Sequence, residues 1–92
     1  MGGKLFKNTI PEHHFKLLNG IELKNVVDLA DSLKHMSDDV FYSHVDEHKN
    51  DFSNWVRDIY SAEELANALS KCKNQQESEL HILRHLYREK SL

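Results

Sequence analysis

The sequence predicts a mainly α fold, a small bundle of four to five helices with room for a short N-terminal β-hairpin. Three observations carry that expectation. From Val26 onward, apolar residues recur at three- and four-residue spacing, the period of an amphipathic helix. Residues that favour helix starts (Asn25, Ser37, Asn50 and Ser61) stand ahead of those stripes. Before them, Phe15 and Leu17 alternate with polar neighbours up to an Asn19-Gly20 pair, after which Ile21 and Leu23 resume the alternation.

Residues 1–12 hold glycine, lysine and the sole proline, and read as a flexible N-terminal arm ahead of a single helical domain over 13–92. A two-strand hairpin over 15–23 is marginal unless a helix covers it. Asn25 caps a first helix over 26–36, with Asp28 offering an imperfect capping box and Val26, Leu29, Ala30, Leu33 and Met36 as its apolar face. Ser37 caps the second helix, whose acidic start (Asp38, Asp39) suits the positive end of the dipole. Phe41, His44, Val45 and His48 share one face of it. Asn50 caps the third, with Phe52, Trp55, Val56 and Ile59 inward. Ser61-Ala62-Glu63-Glu64 reads as a full capping box for a fourth helix carrying Leu65, Leu69 and Cys72. Beyond it, one long helix over 62–89 and two helices broken near Asn74 both fit the spacing. Leu80, Leu83, Leu86 and Tyr87 form the last stripe. It either closes the monomer's bundle or meets a partner.

Composition limits the function. A chain of 92 residues buries roughly 60–65% of its unfolded surface, which leaves little room for a substrate cavity. No enzyme activity and no cofactor are therefore expected. Net charge is −3, concentrated in residues 37–69, where eight acids face Lys49 and Arg57. Such a middle disfavours a phosphate backbone as partner, and the bases at Lys71, Lys73, Arg84, Arg88 and Lys90 are a weak counter-signal. No stretch is apolar enough to span a membrane and no charged-then-apolar leader opens the chain. Phe6 stands where a myristoylation start wants Ser or Thr. With a lone cysteine, Cys72, the reading is cytoplasmic.

Seven histidines raise a metal hypothesis. His44 and His48 are four residues apart, as are His81 and His85, and such pairs on one helix can chelate. His44-Val45-Asp46-Glu47-His48 also matches the inverted zinc-protease motif, but so short a chain lacks the third ligand and the cleft that the motif needs. Metal binding by either pair is kept as the alternative function. Cys72 lies on an apolar stripe, where a small buried hydrophobe is the simpler reading than a nucleophile.

One block is distinctive. Met36, Phe41, His44, Val45, Asp46, Lys49, Asn50, Asp51, Phe52, Asn54, Trp55, Val56 and Asp58 stand in fixed spacing, preceded by Phe15, Leu17 and Gly20 and followed by Glu64, Leu65 and Ala66. This pattern resembles a family of small archaeal and bacterial domains of unknown function, over roughly residues 13–70. The resemblance implies a cytosolic, mostly helical module, standing alone or appended to other domains, with no assigned activity. His48, His81 and His85 lie outside its pattern.

Together these readings favour a non-catalytic protein-interaction or regulatory module that binds a protein partner or itself. Its expected contact surface joins the acidic corner (Asp46, Glu47, Lys49, Asn50, Asp51) to the exposed side of the last helix (Leu83, Tyr87). His44, Asn50, Asp51 and Trp55 are expected to form a hydrogen-bonded corner between the second and third helices, or else to receive a partner's backbone or charged group.

Overall fold

The computed structural model describes residues 3–91, and for Ser91 only the backbone. Five helices follow a short antiparallel hairpin: β1 (Phe15–Lys16), β2 (Glu22–Leu23), α1 (Val26–His35), α2 (Asp38–His44), α3 (Asp51–Tyr60), α4 (Glu63–Ser70) and α5 (Gln75–Ser91). α3 packs on α4, α1 packs on α5, and α4 also meets α5.

The hairpin pairs Phe15 with Leu23 and Lys16 with Glu22. Gly20 closes the turn at φ 91°, a conformation that favours a residue without Cβ. Phe15, Leu17 and Leu23 are buried, but Ile21 lies outward in the turn. The expected alternation thus holds for three of its four apolar residues.

The caps at Asn25, Ser37 and Asn50 stand where expected, each side chain accepting the backbone N–H three residues on. Asp28 returns the bond by accepting the Lys24 N–H at 3.0 Å. The fourth cap is different. Ser61 ends α3 in the left-handed region (φ 53°, ψ 33°), and Ala62 precedes α4 without a side-chain cap. The Ala62 N–H closes back on the Val56 carbonyl at 3.1 Å. α3 therefore takes Ser61 for its own termination, since one residue cannot serve both roles across so short a joint.

α4 and α5 are separate helices, divided near Asn74. Asn74 Oδ1 accepts the Glu77 N–H at 2.9 Å, and Glu77 accepts the Lys73 N–H at 2.9 Å. The break needs no glycine because this reciprocal pair satisfies the new helix start. Across it, Gln75 Nε2 donates to the Leu33 and Met36 carbonyls, closing the end of α1.

The first residues are packed rather than loose. Leu5 is buried, its N–H donates to Glu89 at 3.0 Å, and Gly3 leaves no room for a side chain against Glu89. The Tyr60 hydroxyl donates to the Lys7 carbonyl at 2.8 Å, and the Thr9 N–H to the Lys24 carbonyl at 2.8 Å. The core therefore starts at Leu5 and not at residue 13; Met1 and Gly2 lie outside the described residues.

Two tests follow from these joints. Ser61→Gly removes the Cβ penalty of the left-handed cap and is expected to raise stability by about 0.5–1 kcal/mol in denaturant unfolding; a decrease would show Ser61 to be a true helix cap. Burial, aided by the Asp28 charge, pushes Tyr60 from 10.0 up to about 12. Because the folded state holds that proton longer, the stability linked to it is full below pH 10 and is lost as pH climbs towards about 12. Alkaline melting curves of Tyr60→Phe are expected to lack that slope, from a lower starting stability.

Candidate functional site

The distinctive block folds as a helix, a tight corner and a second helix. α2 stops at His44 instead of continuing to His48, because Val45 turns extended and forms a bridge with Asn50. Asp46 nucleates the turn: its carboxylate accepts the His48 N–H at 2.7 Å and the Lys49 N–H at 3.0 Å. These bonds, that from His48 foremost, lower the Asp46 pKa from its usual 3.8. His48 is consequently exposed in a turn, so the one-face arrangement expected for His44 and His48 does not exist.

His44 has both ring nitrogens engaged. The Leu18 N–H donates to Nε2 at 3.1 Å, so that nitrogen carries a lone pair, and Nδ1 donates to Asp51 Oδ2 at 3.0 Å. One imidazole thus ties the hairpin to the start of α3. Its ring packs against Phe15 (centroids 5.1 Å apart) and Phe52 (5.5 Å). Lys49 completes the knot, donating to Asp51 Oδ2 at 3.1 Å and to the Ser43 carbonyl at 2.9 Å.

Asn50 serves two helices. Oδ1 accepts the Ser53 N–H at 3.0 Å, capping α3, while Nδ2 donates to the Leu69 carbonyl at 2.9 Å near the end of α4. Ser53 supports the same joint, its buried hydroxyl donating to the Ala66 carbonyl at 2.6 Å. Trp55 makes no hydrogen bond in this knot. Its indole N–H donates to the His13 carbonyl at 2.8 Å and its ring meets Phe15 and Tyr60 edge-on, so it anchors the N-terminal segment.

Of the corner residues expected to meet a partner, Asp46, Lys49, Asn50 and Asp51 spend their polar groups internally, and Glu47 is left exposed. A shallow depression of about 380 Å³ adjoins them, walled on the far side by Tyr42, Ser70, Cys72 and Lys73. Sequence reading missed this wall because the Tyr42 hydroxyl reaches the Lys73 carbonyl across 31 positions (3.1 Å). Burial pushes the Cys72 thiol up, and its Sγ lies 3.3 Å from the Ala68 carbonyl, which makes it a packing residue rather than a thiolate.

The second histidine pair is on α5. His85 Nδ1 donates to the His81 carbonyl at 2.9 Å, and its Nε2 is buried without a partner. Among the described residues, no three or more His, Cys, Asp or Glu side chains gather as a metal-binding group.

α5 presents its other expected residues outward. Ser78, Ile82 and Leu86 face the core, whereas Leu80 (47% exposed), Leu83 (43%) and Tyr87 (74%) line the opposite face. Leu83 and Tyr87 border a groove of about 690 Å³ whose other wall includes Phe6, and Arg84, Arg88 and Lys90 rim it. Among the described residues, no helix is long and apolar enough to cross a membrane. No protein family, curated protein or solved structure matches this chain.

The corner makes a graded prediction. Asn50→Ala loses a cap and a carbonyl donor together and is expected to cost about 2 kcal/mol in urea unfolding. Asn50→Asp keeps the acceptor alone and is expected to recover about half of that loss. Equal stability of the two variants would mean that the cap on Ser53 contributes nothing, and an Asn50→Asp variant as stable as the wild type would mean that the bond to Leu69 contributes nothing.

Proposed function

We propose that this chain is a non-catalytic protein-interaction module whose contact surface is the outer face of α5 together with Phe6. The observation that carries this reading is the alignment of Leu80, Leu83 and Tyr87 on one exposed face, of which Leu83 and Tyr87 border a groove that Phe6 completes. Isolated exposed leucines are common on small proteins, but a contiguous apolar strip with a charged rim is typical of an interface. Tyr87 is an apt anchor, since a large amphipathic ring contributes contact area at small conformational cost.

The acidic corner supports the reading by exclusion. Apart from Glu47, its side chains already bond to the fold and hold the joint between α2, α3 and α4. Its role is to set that joint. A cytoplasmic location agrees with the single buried cysteine.

A photo-crosslinking phenylalanine analogue at position 87, in the cells that make the chain, is expected to give a discrete protein adduct that the same analogue at Asp31 does not. Leu83→Arg is expected to abolish that adduct while leaving the far-ultraviolet circular dichroism unchanged. The absence of an adduct at position 87, or equal adducts at both positions, would overturn the reading.

A further inference from the structure

The spacing along the outer face of α5 is more regular than a core-facing stripe requires. Gln76, Leu80, Leu83, Tyr87 and Lys90 follow one another at steps of four, three, four and three, the alternation of a coiled-coil seam. Ser78, Ile82 and Leu86 occupy the opposite side and are buried against the domain. α5 therefore carries two seams, of which the domain fills one.

Resting on the reading of this face as the contact surface, we infer that its occupant is a second copy of the chain, with the two α5 helices antiparallel and Leu83 on the two-fold axis. Charge along the helix favours that arrangement. Glu77 is exposed in its first half, and Arg84, Arg88 and Lys90 are exposed in its second. Glu79 and Glu89 do not face that side: Glu79 turns to Lys34 of α1 with one carboxylate oxygen buried, and the Glu89 carboxylate is turned inward to the Leu5 N–H. Antiparallel pairing sets Glu77 of each copy beside the basic half of the other and opposes the helix dipoles. Parallel pairing would set Glu77 on Glu77 and Arg84 on Arg84.

The two-fold then fixes the partners. Leu83 meets its own image, Leu80 meets the second copy's Tyr87, and Gln76 meets its Lys90. Leu80 of one copy enters the groove between Phe6 and Tyr87 of the other. The competing pair of Arg88 with Glu64 (3.2 Å) is exposed on both sides, so releasing it costs little. From Gln76 to Lys90 the seam runs about 21 Å. An interface of that length sits at the lower end of stable sizes, so dimerisation depends on concentration.

Sedimentation of the full chain from micromolar to millimolar concentration is expected to show a monomer–dimer transition. Leu83→Arg and, independently, Tyr87→Glu are expected to abolish it at unchanged helicity. Under mild oxidation, Leu83→Cys is expected to form a disulfide with its own image. Leu80→Cys alone is expected not to, but a mixture of Leu80→Cys and Tyr87→Cys is expected to cross-link. A wild type that stays monomeric throughout, or equal self-cross-linking at positions 80, 83 and 87, overturns the antiparallel dimer. A monomeric wild type that still yields a heterologous adduct at position 87 removes the dimer and leaves the contact face standing. No adduct there removes both.

Discussion

A helix of seven to ten residues has most of its backbone polarity at its ends, because the first four amides and the last four carbonyls find no partner within it. Among the described residues, four of the five α-helices fall in that range, and the domain depends on how those ends are satisfied. Asn50 is the central instance. It stands where α3 begins and α4 ends, and one amide group meets both, accepting from Ser53 and donating to Leu69. Each unmet terminal group inside so small a core would cost about 1–3 kcal/mol, a large part of the stability of a single domain. Gln75 does comparable work for α1, and Asn74 for α5. The fold is held as much by side-chain amides at helix ends as by its apolar interior.

Much of this was legible in the sequence because capping is local. Asn25, Ser37 and Asn50 each bond a backbone amide three residues away, so type and spacing suffice to place them. Ser61 misled for the same reason: the Ser-x-x-Glu pattern is local too, but the closure of α3 claimed the residue first. The extent of α2 misled because the apolar period continues through Val45 to His48, while Asp46 captures two backbone amides and folds the chain into a turn. The His44–Leu18 and Trp55–His13 bonds cross 26 and 42 positions, and no spacing rule reaches that far.

The orientation of α5 was out of reach for a different reason. Two stripes are present, and the one richer in large apolar residues (Leu80, Leu83, Tyr87) is the one the domain leaves outside. The inner stripe contains Ser78, which a count of hydrophobic residues discards. Its hydroxyl donates to the Asn74 carbonyl one turn back, so a small polar residue sits at 1% exposure with its hydrogen bond made. Apolar content alone therefore points α5 the wrong way round.

That inversion bears on function. Asp46, Lys49, Asn50 and Asp51 of the corner are hydrogen-bonded to the fold, while Leu80, Leu83 and Tyr87 of α5 are exposed on its outer face. Folding alone gives no reason for leucines at positions 80 and 83 or a tyrosine at 87, since glutamate or lysine would serve an exposed helix face equally well and improve solubility. Nor does chance readily give a four-three alternation whose flanking charges change sign at its midpoint. A contact made by that face accounts for both features together, and the sign change further requires that whatever lies along α5 be acidic where α5 is basic. The chain itself, reversed, has that property.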